Sequence, residues 1–122
     1  MPGELILLVE DNDNNRLLVR DVLQASGYRV VEAESAEDGL RMAVEQRPAL
    51  ILMDIQLPVI DGYEATRRIK ANPALQHVPI IAVTSYALSG DDVKAFAAGC
   101  SAYIAKPFSP RTLLAKVREY LP

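Results

Sequence analysis

Runs of consecutive apolar residues, separated by more polar stretches, recur along the chain. In Leu5–Val9 and in Leu50–Asp54 the apolar residues follow one another without alternation and lead straight into acidic residues. Such a run is typical of a strand that is covered on both faces, as in a parallel sheet. Residues 79–83 form a third run of this kind and Ala102–Ala105 a shorter strand, whereas residues 28–33 are more polar and suit a sheet edge.

Between these strands, apolar residues recur at intervals of three and four, the spacing of amphipathic helices. Residues that favour helix N-caps precede the segments, and three of them are followed three residues later by an acid, as in a capping box. The predicted N-caps are Asn12 or Asp13, Ser35, Asp61, Ser89 and Ser109. The predicted inward-facing residues are Leu18, Val22 and Ala25, then Leu40, Ala43 and Val44, then Ala65 and Ile69, then Val93, Phe96 and Ala97, and finally Leu113, Leu114, Val117 and Leu121.

Five strands that alternate with five helices predict an α/β fold with a doubly wound parallel sheet and right-handed crossovers. The first, third and fourth strands are the most apolar and belong in the centre, and the polar second strand belongs at an edge. The order 2-1-3-4-5 of flavodoxin-like (βα)5 folds satisfies both requirements. The length of 122 residues fits one domain, so we expect a single domain over residues 1–122.

Composition and charge narrow the classes of function. A net charge of −3 gives no reason to expect binding to nucleic acid or to an anionic membrane. The single cysteine, Cys100, cannot form an internal disulfide, and we expect it to be a small buried residue in a protein of the reducing cytoplasm. We find no segment with the length of a membrane span or the pattern of a signal peptide.

Four of the five predicted strands end in side chains that can take part in chemistry. Because the carboxyl ends of parallel strands open onto one crevice, where ligands of such sheets bind, we expect these side chains to meet there. Only the predicted edge strand has no such residue at its end. The strand-end residues are Glu10 and Asp11, Asp54, Thr84 and Ser85, and Lys106.

Three crowded carboxylates repel one another, and a hard divalent cation such as Mg²⁺ relieves that repulsion. Asp11 and Asp54 are the candidates for direct metal ligands, Glu10 for a ligand through water, and the backbone carbonyl of Gln56 for a further oxygen. Mg²⁺ commonly shares its site with phosphate, and a carboxylate can become an aspartyl-phosphate. A phosphoryl group on Asp54 would find a neutralising cation and a hydroxyl in two strand-end residues, Lys106 and Thr84.

This set of residues resembles that of a known family over the whole chain. The family is the receiver domain of response regulators in two-component signalling, and the matching residues are Glu10, Asp11, Asp54, Thr84, Lys106 and Pro107. Residues 9–12 and 99–104 are particularly similar to stand-alone regulators of bacterial cell-cycle phosphorelays. The sequence departs from the usual pattern in its first acid, which is Glu10 rather than an aspartate.

The resemblance implies a function for the crevice. Asp54 would accept a phosphoryl group from a histidine kinase or a histidine phosphotransfer protein, with Mg²⁺ bound. Thr84 would then move toward the phosphoryl group while Tyr103 turns inward behind it. A cis peptide bond between Lys106 and Pro107 would aim the lysine back over the crevice.

The resemblance also implies partners and a lifetime for the signal. Output would pass to a downstream protein through the face formed by the fourth helix, the fifth strand and the fifth helix, from a monomer or weak dimer. The phosphoryl group would be lost slowly to water, at a rate set by Gln56 and Tyr86, so we do not expect a turnover enzyme.

Three other interpretations remain open at this point. A phosphohydrolase of the haloacid dehalogenase kind needs a second aspartate two residues after the nucleophile, where this chain has Gln56. A flavin-binding domain needs a hydroxyl- and glycine-rich loop after the first strand, where residues 10–13 are acidic or amide-bearing and would repel phosphate. The third is a receiver-shaped interaction module that is never phosphorylated, against which the intact set of acids argues.

Overall fold

The computed structural model describes residues 3–84 and 91–122, with residues 91 and 92 as backbone only. Strands and helices alternate through this part of the chain, as the sequence predicts. In order they are β1 (Leu5–Val9), α1 (Asp13–Ala25), β2 (Arg29–Ala33), α2 (Ala36–Gln46), β3 (Leu50–Asp54), α3 (Gly62–Lys70), β4 (Ile80–Thr84), α4 (Asp91–Ala98), β5 (Ala102–Ala105) and α5 (Pro110–Arg118).

The five strands form one parallel sheet in the order β2-β1-β3-β4-β5. The predicted order is confirmed, and the polar strand β2 lies at an edge. The register places Val9 beside Met53, and Asp54 beside Val83. The carboxyl ends of the strands that carry the candidate residues therefore lie nearly level with one another.

Side chains from the two faces of the sheet fill two separate cores. On one face Leu7, Ile51 and Ile80 pack with α2, α3 and α4. On the other face Ile6 and Leu52 pack with α1 and α5. Because alternate residues of each central strand enter opposite cores, an unbroken apolar run is the sequence that such a strand requires.

The helix N-termini follow the predicted capping residues where the structure describes them. The side chain of Asn12 accepts the N–H of Asn15 at 2.9 Å, so Asn12 rather than Asp13 caps α1. Equivalent bonds run from Asp38 N–H to Ser35 and from Glu64 N–H to Asp61, at 3.2 and 2.9 Å. Ser109 caps α5 and Pro110 is its first residue, as predicted. Ser89, the predicted cap of α4, lies outside the described residues.

The inward faces of α3 and α5 are as predicted, those of α1 and α2 are partly wrong, and that of α4 is wrong. Ala65, Ile69, Leu113, Val117 and Leu121 are buried. In α1 the buried apolar residues are Val19 and Leu23, and Leu18 and Ala25 are exposed. In α2, Ala43 is buried as predicted, together with Ala36 and Gly39, and Val44 is exposed.

Helix α4 shows the largest difference from the prediction. Ala95 and Ala98 are buried, while Val93 and Phe96 are 65% and 52% exposed and Ala97 is exposed too. Small side chains let a helix approach a sheet closely, so here they take the inner positions that the periodicity assigned to larger residues. The consequence is an outward apolar face on α4. Among the described residues, none of the helices is long and apolar enough to cross a membrane.

Candidate functional site

Three carboxylates meet at the carboxyl edge of the sheet. Glu10 and Asp11 follow β1, and Asp54 is the last residue of β3. One oxygen from each lies within 4.8 Å of the others. Glu10 and Asp54 are buried, with 4% and 3% of their surface exposed, while Asp11 is exposed. The three carboxylates that the sequence predicts as metal ligands are thus brought together, with an open side at Asp11.

Lys106, which directly follows β5, extends across the same crevice. Its Nζ lies 2.7 Å from Glu10 Oε1 and 3.7 Å from Asp54 Oδ2. Its backbone N–H donates to the carbonyl of Thr84 at 2.7 Å, which joins the ends of β4 and β5. The Lys106–Pro107 peptide bond is cis, as predicted. The cation therefore lies against two of the three acids.

The loop after β3 fixes the orientation of Asp54. The N–H of Gln56 donates to Asp54 Oδ1 at 3.0 Å, so Oδ2 is the oxygen on the side of Lys106. The backbone of Gln56 thus adjoins the acidic cluster. Its carbonyl as a metal ligand remains a prediction.

A glycine that the sequence analysis does not single out lies against the backbone that carries Asp54. Gly62 opens α3, and its N–H donates to the carbonyl of Ile55 at 3.0 Å. A Cβ at this position would collide with the carbonyl oxygen of Asp54 and lie 2.7 Å from the Cα of Ile55. Only glycine therefore allows α3 to begin against the end of β3.

Thr84 and Tyr103 lie on the same face of the sheet. Thr84 is buried at the end of β4, with 2% of its surface exposed, and its strand partner is Ala105. Tyr103 is opposite Ala82 and packs, partly buried, against the core on the α3 side. Because side chains alternate along a strand, Thr84 shares the face of Ala82. The two predicted switch residues therefore lie on the same face of two adjacent strands, β4 and β5. Tyr86, the residue predicted to tune dephosphorylation, lies outside the described residues.

A cavity of about 480 Å³ opens beside the acids. Asp54 and Lys106 contribute to one end of it. The rest of its wall is mostly apolar and comes from the strands β1, β3 and β4, from α1 and from the segment that leads into α5, including Leu18, Val22, Phe108 and Pro110. The acidic crevice is therefore continuous with a mostly apolar cavity.

Burial and neighbouring charge set the protonation of Glu10. Burial raises the pKa of the Glu10 carboxyl above its ordinary value of 4.5, the hydrogen bond with Asp54 raises it further, and Lys106 opposes both effects. An acid whose pKa is raised by folding adds stability below its unfolded pKa and loses that contribution as the pH rises through its folded pKa.

We expect this effect in the metal-free protein. The free energy of unfolding of the wild type, relative to that of Glu10→Gln, should fall as the pH rises from below 4.5 toward neutrality, because glutamine does not titrate. Urea unfolding of both proteins in EDTA across this pH range measures the difference. A difference that does not change with pH, or that grows as the pH rises, would contradict the raised pKa.

Comparison with known proteins agrees with this geometry. The model of the response regulator receiver domain family matches residues 6–118. The polar-differentiation response regulator DivK of Brucella anthropi is 43% identical over 116 residues, which cover 95% of this chain and 94% of that protein. The chain belongs to the response-regulator receiver domain family of two-component signalling, and it is similar to DivK.

Solved structures show the same fold. A receiver domain of a sensor histidine kinase from Pseudomonas aeruginosa, with a magnesium ion coordinated in its active-site cleft, is 43% identical with a TM-score of 0.91, and 98% of each chain is covered. The chemotaxis response regulator CheY4 of Vibrio cholerae is 27% identical with a TM-score of 0.92, over 97% of this chain and 98% of that one.

Proposed function

We propose that this protein is a phospho-acceptor whose Asp54 takes a phosphoryl group from the phosphohistidine of a histidine kinase or a phosphotransfer protein. The observation that carries the proposal is the convergence of two buried acids and a lysine at the ends of three different strands. Glu10, Asp54 and Lys106 stand at the ends of β1, β3 and β5. The Lys106 Nζ lies within ion-pair distance of both carboxylates.

The acidic cluster fits Mg²⁺. Its oxygens are hard ligands, they are close enough to share one ion, and the exposed side at Asp11 leaves room for the waters that Mg²⁺ retains. Asp11 and Asp54 would hold the ion directly, Glu10 through a water, and the Gln56 carbonyl would add an oxygen. When bound, the ion would neutralise part of the negative charge on the transferred group.

Asp54 is placed to act as the nucleophile. Its Oδ1 is held by the Gln56 N–H, which leaves Oδ2 on the side of Lys106. A bond forms between a carboxylate oxygen and phosphorus as the bond from phosphorus to the donor's imidazole nitrogen breaks, and the electron pair stays on that nitrogen. Lys106 would then pair with a phosphoryl oxygen, and the hydroxyl of Thr84 would bond to another. Such transfers depend mainly on positioning and charge neutralisation.

The proposal includes a slow return to the unphosphorylated state. Water would attack the aspartyl-phosphate, and the side chains two residues after Asp54 and two after Thr84 would control its access. Gln56 is neutral and can hold a water but cannot act as a strong base. Tyr86 would shield the phosphoryl group.

Two surfaces would serve the partners, both of them proteins. The donor would approach over the apolar cavity beside Asp54, since its phosphohistidine must reach that carboxylate. The downstream protein would bind the face of α4, β5 and α5, where Val93 and Phe96 provide exposed apolar area. The equal identity to DivK and to a kinase's receiver domain supports two settings for this domain, a separate cytoplasmic regulator or a kinase-linked receiver.

We expect Asp11→Asn to stabilise the metal-free protein by about 1 kcal/mol, because it removes one of three mutually repelling charges. The same change should remove most of the response to Mg²⁺. Wild type should gain melting temperature in millimolar Mg²⁺, since ligand binding to the folded state stabilises it by mass action. Thermal unfolding with EDTA and with Mg²⁺ tests both statements, and a wild-type curve indifferent to Mg²⁺ would contradict the metal site.

Phosphotransfer profiling tests the proposed function. Purified histidine kinases and phosphotransfer proteins of the source organism are labelled with radioactive phosphate and mixed with this protein for short times. At least one donor should pass its label to wild type, and none should label Asp54→Asn. If no donor labels the wild type, or if the label appears equally on Asp54→Asn, the proposal is wrong.

A further inference from the structure

A buried arginine on α1 lies behind the acidic site and is not part of the predicted set. Arg16 has 8% of its surface exposed, although arginine is rarely buried to this degree without partners. Its Nη1 donates to the backbone carbonyl of Glu10 at 3.1 Å. Its remaining nitrogens contact carboxylate oxygens of Asp13 at 2.7 Å, Glu32 at 3.3 Å and Glu34 at 3.1 Å.

These contacts join two segments that are distant in sequence. Glu10 and Asp11 lie in the loop between β1 and α1, and Asp13 is the first residue of α1. Glu32 lies in β2, and Glu34 follows that strand. A planar guanidinium with several fixed donors can bind all of these acceptors at once, which a lysine cannot do. Arg16 therefore fastens the β1–α1 loop to the end of the edge strand.

The bond to the Glu10 carbonyl matters because of its place in the chain. That carbonyl belongs to the peptide unit between Glu10 and Asp11, so its orientation helps to set where both side chains point. The N–H on the other side of Glu10 donates to the carbonyl of Ala33 at 3.0 Å. The backbone of Glu10 is thus held from β2 and from α1, which leaves its carboxylate directed into the crevice.

Arg20, one turn further along α1, offers a comparison. Its guanidinium contacts Asp21 at 3.0 Å and Glu32 at 3.6 Å. It is therefore a second arginine that pairs with the acid of β2, whereas the hydrogen bond to the Glu10 carbonyl comes from Arg16. If the ion pair with Glu32 of β2 were the only contact of Arg16 that affects the site, replacing Arg16 and replacing Arg20 would change the site to a similar extent.

We propose that Arg16 is a positioning residue for the acidic site, one that holds the loop carrying Glu10 and Asp11 in the arrangement that binds a divalent cation. The part of this inference that concerns the cation rests on the proposed function. Arg16 would act through the backbone, without touching the ion or the phosphoryl group. Groups that orient metal ligands in this way typically change metal affinity by 10–100-fold when they are removed.

The test compares wild type with Arg16→Met, Arg16→Lys and the control Arg20→Met. Each protein is titrated with MgCl2 at a temperature well below its own melting transition, and the backbone amide signals of residues 10–12 are followed by NMR. We expect the Kd for Mg²⁺ to rise by about tenfold in Arg16→Met and to stay within about twofold of wild type in Arg20→Met. Lysine keeps the charge but cannot bind all the acceptors, so Arg16→Lys should be intermediate.

The metal-free spectra give an independent result. The amide signals of residues 10–12 should move in Arg16→Met and stay in place in Arg20→Met. Equal Kd values and equal spectra for the two variants would overturn the inference. If wild type binds no Mg²⁺, the metal part of the proposed function fails, and the metal-free spectra still decide whether Arg16 positions the loop. If Arg16→Met does not fold, Arg16→Lys carries the same comparison.

Discussion

Gly62→Ala should destabilise the protein by about 2–3 kcal/mol, because the new methyl group has no space to occupy. It would collide with the carbonyl oxygen of Asp54 and lie 2.7 Å from the Cα of Ile55. Both are backbone atoms of a buried strand end, which cannot rotate away as a side chain can. The acceptor residue itself would have to move, so phosphorylation of Asp54 should fall together with stability. Urea unfolding measures the first effect and phosphorylation by acetyl phosphate the second.

Gly39→Ala is the matched control for this prediction. A Cβ at Gly39 would lie 2.8 Å from Cγ2 of Val9, which is a side-chain atom. Alanine also favours a helix by about 1 kcal/mol over glycine, and Gly39 is inside α2. The two effects oppose each other, so we expect a net change within about 1 kcal/mol. A Gly62→Ala protein as stable and as readily phosphorylated as Gly39→Ala would show that the close approach is not required.

Lys106→Met should slow phosphorylation of Asp54 by about 100-fold, since removing one group that neutralises charge in a transition state typically costs this much or more. Nζ of Lys106 lies 3.7 Å from Asp54 Oδ2 and 2.7 Å from Glu10 Oε1. Methionine keeps most of the side-chain volume and removes the charge. The measurement is the initial rate with acetyl phosphate at saturating Mg²⁺, on protein shown to be folded.

Lys116→Met controls for loss of a lysine elsewhere. Lys116 is on α5 and pairs with Glu119 at 3.0 Å, at the surface. Its replacement should leave the phosphorylation rate unchanged. A Lys106→Met rate within about threefold of wild type would mean that this lysine does not assist the transfer, because a threefold change is far below the expected effect.

The sheet could be predicted from the sequence because a central parallel strand imposes a strong requirement. Both of its faces are covered, so the residues of Leu50–Asp54 must be apolar up to the carboxyl end of the strand. The first charged residue marks that end. The same reasoning locates Glu10 and Lys106. Once the strand order is known, the meeting of these side chains follows from topology alone.

The helices were harder to predict because periodicity does not say which apolar residue faces the sheet. In α1 the first inward position is taken by Arg16, whose charge is paired with Asp13 on the same helix and with Glu32 and Glu34, which are distant in sequence. In α4 two alanines take the inner positions and Phe96 faces outward. Gly62 was missed for a similar reason, since a close approach between two backbones leaves no signal beyond the glycine itself.

The central claim is that Asp54 is the residue that accepts the phosphoryl group, and intact-mass spectrometry tests it most directly. Wild type, Asp54→Asn and the control Asp21→Asn are incubated with acetyl phosphate and Mg²⁺. Asparagine has nearly the shape of aspartate but is not a nucleophile of this kind, and Asp21 is an exposed acid on α1. We predict one added phosphoryl group on wild type and on Asp21→Asn, and none on Asp54→Asn. Addition of a phosphoryl group to Asp54→Asn at the wild-type level would contradict the claim.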